Sequence, residues 1–256
     1  MLNNPEGRLR FFRRAADRPP QQRHRRGVYL LPSLFTMGNM WCGYACVVNA
    51  MRGDYETAAP FIGIAYLLDA LDGRIARLTG AESEFGLQLD SLADVVSFGI
   101  APAVLAFAWG LQPLGRLGWA AGFMFVACGA MRLARFNIQS AGAADKRYFV
   151  GMPIPAAAGV VASTVFFYPS GLYDYRAALP ALAVVLIPAV MMVSTVRYRS
   201  FKDLDLRSRR SFRVLILISA IIVAIWTHPR VVLLAMAYTY LASGLIGFAV
   251  GRVKRT

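Results

Sequence analysis

The sequence predicts an all-α integral membrane protein, a polytopic bundle of about eight transmembrane helices with both termini on the cytoplasmic side. Three observations carry this. The chain of 256 residues is 57% hydrophobic and only 16% charged, against roughly 25% charged in an average soluble domain. Its apolar residues fall into blocks of about 18 to 25, the length a helix needs to cross about 30 Å of hydrocarbon. Its 28 basic residues, against 14 acidic, give a net charge of +14. They gather at the ends of apolar blocks and in short loops, the placement of anchors beside anionic lipid headgroups. This placement points to a lipid bilayer as the partner and excludes nucleic acid.

Taken in order, residues 1–27 hold eight arginines with Pro19 and Pro20, a composition that buries little and reads as a basic, mobile tail. No small-residue cleavage site marks a removable signal peptide. Residues 28–256 form the membrane domain. Its expected spans run over 30–51, 58–78, 86–109, 117–138, 152–169, 177–196, 212–228 and 231–250. Gly38, Gly43, Pro102, Pro155 and Pro188 lie inside them and are tolerated because neighbouring helices re-satisfy kinked backbone. Short connections imply antiparallel neighbours. Cys42, Cys46 and Cys128 lie within apolar blocks without metal or disulfide spacing and are read as small packing residues. With eight spans, 24 of the 28 basic residues fall on the cytoplasmic side, leaving Arg52, Arg116, Arg176 and Arg230 opposite. One span more or fewer would invert everything downstream.

Charge inside the spans is concentrated in DALDGRIARLTGAESEFGLQLDSLAD, residues 69–94. Asp69, Asp72, Gly73 and Ala76 are spaced i, i+3, i+4, i+7 and share one stripe of the second span. Gly86, Asp90 and Asp94 form a stripe on the third. From a turn near residues 81–83, Asp72 and Asp90 lie roughly 15 and 12 Å along their helices, and Asp69 and Asp94 roughly 20 and 18 Å. Small residues on both stripes let the two backbones approach closely, so four carboxylates converge. Like charges so placed oppose one another's ionisation unless something positive sits among them. A divalent metal is the natural occupant, and an all-oxygen donor set suits Mg²⁺ or Mn²⁺, as one or two ions, rather than zinc. Buried ion pairs with Arg74 and Arg77 leave the charge unbalanced. A cation pathway through a transporter is the competing reading, though the carboxylates bunch near one face and are missing from the other six spans.

The pattern Asp69-x2-Asp72-Gly73-x2-Ala76-Arg77-x8-Gly86-x3-Asp90-x3-Asp94 resembles the signature of the CDP-alcohol phosphotransferases. The resemblance implies transfer of a substituted phosphoryl group from a CDP-linked donor to an alcohol, with release of CMP. It implies that Asp69, Asp72 and Asp90 bind the metals and that Asp94 is the base or a further ligand. Gly73, Ala76, Arg77 and Gly86 fall on the donor side, where Arg77 can offer a planar fork to a phosphate oxygen. It also implies a homodimer. Four further stretches are similar to the bacterial branch that uses CDP-diacylglycerol and L-serine: LPSLFTMGNMWCGY (31–44), LDSLADVVSFGIAPA (89–103), MRLARFN (131–137) and FVGMPIPAAA (149–158). Glycerol 3-phosphate or inositol phosphate is the alternative acceptor.

Under that resemblance Thr36 and Asn39, i and i+3 on the first span, are candidates for contact with the donor, or for bonding to a neighbouring helix. Arg132, Arg135 and Asn137 are candidates for holding the serine, against a reading as headgroup anchors, and Ser97 is a further candidate. The expected location is a bacterial inner membrane with the site facing the cytoplasm, where the donor's acyl chains remain in lipid while its nucleotide meets water.

Overall fold

The structure, a computed structural model, describes residues 30–79, 83–140, 148–199 and 211–253. The basic tail 1–27 and both chain ends lie outside these residues. Helices follow in order: α1 (Leu30–Met51), α2 (Tyr55–Thr79), α3 (Glu84–Leu114), α4 (Arg116–Ser140), α5 (Ile154–Phe167), α6 (Tyr175–Val193), α7 (Ser211–Thr227) and α8 (Pro229–Val253). A short antiparallel pair, β1 (Tyr148–Val150) with β2 (Arg197–Arg199), joins the segment before α5 to the segment after α6. Among the described residues helix is otherwise the rule, as the all-α expectation has it. Among them three helices, Glu84–Leu114, Arg116–Gln139 and Tyr175–Val193, are long and apolar enough by themselves to cross a membrane.

The helix starts are encoded locally. Asp54 Oδ1 accepts from the Thr57 N–H at the start of α2, Ser83 Oγ from Gly86 at α3, and Asp174 from Arg176 and Ala177 at α6, each satisfying donors that a helix N-terminus leaves orphaned. Within α3, two π-helical stretches, Val95–Ile100 and Phe107–Leu111, interrupt the α-helix. The first precedes Pro102, whose ring would collide with the Phe98 carbonyl of a regular turn. Around the second, the Tyr55 hydroxyl donates to the Ala108 carbonyl at 2.7 Å and the Leu172 N–H to Trp109 at 2.7 Å. Backbone groups are thus met by neighbours, as an apolar surrounding demands.

The core is rich in alanine, with Ala58, Ala65, Ala93, Ala101, Ala157, Ala158, Ala178 and Ala189 all buried around Ile62, Phe98, Phe125 and Val165. Cys42, Cys46 and Cys128 are buried among them and unpaired, as their positions suggested. Large apolar side chains point outward instead: Trp41, Phe123 and Trp226 are 60%, 75% and 87% exposed. Small residues between helices and bulky ones outside are the arrangement of a protein solvated by lipid.

The tightest crossing is that of α1 with α3. A Cβ on Gly43 would come within 2.6 Å of Ser97 Oγ and 2.8 Å of Ser97 Cα, so only glycine permits it. α1 also packs along α2, while α4 packs on α6 and α5 lies between α2 and α8. Gly151, at φ +84° with the Met192 carbonyl 2.3 Å from where its Cβ would be, closes the start of α5 on the end of α6.

Candidate functional site

α2 and α3 both lean on α1, and their backbones approach each other along Val95–Ala106 of α3. Towards Thr79 and Glu84 the turns of both helices are largely exposed, and the space between them is called the mouth. The expected close backbone approach at Gly73, Ala76 and Gly86 is therefore incorrect. A Cβ on Gly73 would meet nothing within 4 Å, and one on Gly86 would meet only the capping Ser83 Oγ of its own turn. Ala76 is half-buried, while Arg74 and Arg77 are exposed on the same turns. Side-chain carboxylates, rather than small residues in contact, occupy the space between the two helices.

The carboxylates do converge, though as three rather than four. Oxygens of Asp69, Asp90 and Asp94 all lie within 4.8 Å of one another. Asp72, buried at 5% exposure, instead accepts a hydrogen bond from the Thr36 hydroxyl of α1. It remains within electrostatic reach of Asp69 and Asp90. Thr36 thus bonds to a neighbouring helix, the alternative to contact with the donor.

Around Asp94 the burial is deep. Asn39, fully buried, lies beside it with its side chain bearing on the carboxylate, and Asp94 Oδ1 is left without a hydrogen-bond partner among the described residues. A buried polar atom so placed costs about 1–3 kcal/mol, which fits a bound group at this point. Three clustered carboxylates with an all-oxygen donor set fit a divalent cation of the Mg²⁺ or Mn²⁺ type.

Arg132 of α4 completes this side. It is 8% exposed, its guanidinium stands 5.1 Å from the centroid of the Phe136 ring, and it lies within electrostatic reach of Asp94. A headgroup anchor would be exposed, as Arg135 one turn on is. The other acceptor candidates are engaged elsewhere. The Asn137 amide donates to Ser91 Oγ at 2.9 Å, tying α4 to α3 one residue from Asp90. The fully buried Ser97 donates to the Asn39 carbonyl at 2.9 Å within the α1–α3 crossing, a packing position rather than a lining one.

Sequence reasoning missed Ser91 and the inward stripe of α8 that carries Tyr240. Ser91 lies between two stripe residues and gave no signal of its own. Tyr240 belongs to Ala237, Tyr240, Leu241 and Gly244, spaced i, i+3, i+4, i+7 and forming the less exposed side of α8, a periodicity that was there to be read.

Comparison with known proteins agrees with this geometry. A family model described as CDP-alcohol phosphatidyltransferase matches residues 29–196, which contain all four aspartates and Arg132. The chain is 36% identical over 230 residues, 89% of its own length and 94% of the relative's, to a CDP-diacylglycerol–serine O-phosphatidyltransferase of Helicobacter pylori. It is 36% identical over 170 residues to an archaetidylserine synthase of Methanothermobacter thermautotrophicus, covering 66% of this chain and 69% of that one. It is 36% identical over 138 residues to a CDP-diacylglycerol–serine O-phosphatidyltransferase of Bacillus subtilis, covering 54% and 76%. With its carboxylates gathered between α2 and α3 and two thirds of its length matched, this membrane protein belongs to the CDP-alcohol phosphatidyltransferase family.

Proposed function

We propose that the chain transfers the phosphatidyl group of CDP-diacylglycerol to the hydroxyl of L-serine, giving phosphatidylserine and CMP. The observation that carries the acceptor is Arg132, buried beside Asp94. A guanidinium next to a carboxylate base matches a small acceptor that brings a carboxylate and a hydroxyl together. The Helicobacter pylori relative, named for this reaction and aligned over nearly its full length, supports the same acceptor.

Arg132 offers a forked pair of donors to the serine carboxylate, and this orients the hydroxyl towards Asp94. The serine oxygen forms a bond to the phosphorus that carries the diacylglycerol. The bond from that phosphorus to the bridging oxygen of the diphosphate breaks, and CMP leaves with the electron pair. The hydroxyl proton passes to the Asp94 carboxylate, a contribution of about 10² to 10⁴ in rate. Asp69, Asp90 and Asp94, with Asp72 in reach, would hold Mg²⁺ or Mn²⁺, as one or two ions; when bound, the metal neutralises the diphosphate and the charge that develops on it. Arg77 and the open turns at Gly73 and Gly86 leave room for the donor's phosphates.

The reading extends to topology. Residues 28–256 form one domain of eight spans in a bacterial inner membrane, with both ends and the mouth of the site on the cytoplasmic side, where 24 of 28 basic residues then fall. The chain works as a homodimer. Purified protein with CDP-diacylglycerol, Mg²⁺ or Mn²⁺ and a panel of acceptors tests the reaction. CMP release that depends on L-serine is expected; turnover with glycerol 3-phosphate or inositol phosphate and none with L-serine would overturn the acceptor.

A further inference from the structure

We infer that the groove where α3, α5, α6 and α8 meet is a phospholipid-binding site, with one acyl chain in the groove and the phosphate at Arg176 and Arg230. The groove has a volume of about 630 Å³ and is lined by Trp109 of α3, Phe167 of α5, Ala181 and Val184 of α6, and Val231 and Leu234 of α8. Trp109 lies roughly 22 Å along α3 from Asp94 at 1.5 Å per residue, so this site is separate from the carboxylates. Its polar groups are spent within the protein. The Trp109 Nε1–H donates to the Tyr168 carbonyl at 2.8 Å, and the Trp109 carbonyl accepts from the Leu172 N–H at 2.7 Å. The Thr164 hydroxyl donates to the Val160 carbonyl at 2.7 Å, which leaves the Tyr238 hydroxyl, 3.0 Å away, as donor to Thr164 Oγ1. With these donors used up, the wall offers a guest only apolar contact.

The depth and the charge of the groove both match a lipid. From Ala177 to Val184 on α6, and from Val231 to Tyr238 on α8, the lining runs roughly 10 Å along each helix. Water gains little in such a space, because an apolar cavity without several polar partners stays dry, whereas a hydrocarbon chain recovers the dispersion contacts that an empty slot forfeits. Exposed Tyr168, Tyr173 and Tyr175 stand at the end where α5 stops and α6 starts, and tyrosines gather at the headgroup level of a bilayer. Two arginines frame the same end. Arg176 immediately precedes Ala177, and Arg230 immediately precedes Val231, both of them lining residues. Arg230 gives one nitrogen, Nη2, to Glu56 and stands 5.5 Å from the Phe166 ring centroid, so further N–H donors of its fork remain for a phosphate. Asp174 is turned to the N–H groups of Arg176 and Ala177. Basic groups at headgroup level above an apolar slot are the complement of a phospholipid, whose chain then seats α8 on α5 and α6.

Brominated acyl chains quench a tryptophan on contact, and Trp109, 5% exposed, reports on the groove once the exposed Trp41, Trp119 and Trp226 are replaced by phenylalanine. Reconstituted in vesicles of phosphatidylglycerol with dibrominated chains, this full-length variant should show about twofold lower emission than in unbrominated vesicles, because the lipid is the solvent and fills the site by mass action. Ala235→Phe places a ring in the groove from the exposed side of α8 and should restore most of the emission at an unchanged melting temperature. Ala177→Leu blocks the groove from α6 and should do the same. At low mole fraction in unbrominated vesicles, the brominated phospholipid should quench more than brominated diacylglycerol, which lacks the phosphate, and Arg176→Gln should shrink the difference. Emission that brominated phospholipid leaves unchanged would overturn the inference, as would quenching that neither block reduces. Equal quenching by the diacylglycerol would overturn it as a phospholipid site. Emission that follows the ratio of protein to lipid and ignores bromine would put a second copy of the chain in the groove, and the inference would fall.

Discussion

The crossing of α1 with α3 and the mouth between α2 and α3 are both marked by glycine, and the two regions use it in opposite ways. At Gly43 the missing side chain lets one backbone lie against another, with Ser97 where a Cβ would be. At Gly73 the missing side chain leaves space that no other described residue enters. The first is packing and the second is room. A glycine in a membrane helix is therefore no guide to contact until the charge on its stripe is considered. Where carboxylates share the stripe, as at Asp69 and Asp72, they and not the glycine make the contact across to the neighbouring helices, and the gap beside the glycine suits a charged substrate.

The most severe way to break the comparison is at the mouth itself. Asp94→Asn should lower kcat by about 10³-fold or more, since it removes both a base and a carboxylate of the cluster, without loss of folded protein. CMP release from CDP-diacylglycerol measures this, and a variant retaining a tenth of wild-type activity would show that the reaction occurs elsewhere. The next effect belongs to the crossing. Gly43→Ala places a carbon 2.8 Å from Ser97 Cα, and the two helices must separate, at a cost of about 1–3 kcal/mol. Thermal unfolding in detergent reads it.

A smaller effect is expected where the two regions join, because Thr36 reaches from α1 to Asp72. Thr36→Val should lower stability by about 1 kcal/mol and raise the Mg²⁺ or Mn²⁺ concentration needed for half activity. An unchanged metal requirement would separate Asp72 from the metal cluster. The smallest stability effect should come from Gly73→Ala, where the gain in helix propensity, up to about 1 kcal/mol, meets no clash. A destabilisation as large as that of Gly43→Ala would mean that the mouth is packed after all.

Much of the fold was legible because hydropathy registers helix length. The expected spans 30–51 and 117–138 fall on Leu30–Met51 and Arg116–Ser140 almost residue for residue. Hydropathy does not register rotation, so Arg132 looked the same as Arg135 although one is buried and the other exposed. The convergence of Asp69, Asp90 and Asp94 followed from helical spacing. The diversion of Asp72 to Thr36 did not, because it depends on where a third helix lies. The π turns of α3 and the β1–β2 pair were likewise invisible: the first answers a local conflict at Pro102, and the second pairs residues far apart in sequence, Val150 with Arg197 and Tyr148 with Arg199.

The exposed mouth between α2 and α3 also sets how the protein would meet its lipid. A mouth bounded by two helices and open between them admits a molecule from the side, so a two-chain donor can arrive and its product depart by lateral diffusion. Encounter then depends on the mole fraction of donor in the surrounding amphiphile and not on its molarity in the sample. On this geometry, diluting CDP-diacylglycerol with detergent at fixed total concentration slows the protein as surely as removing substrate does.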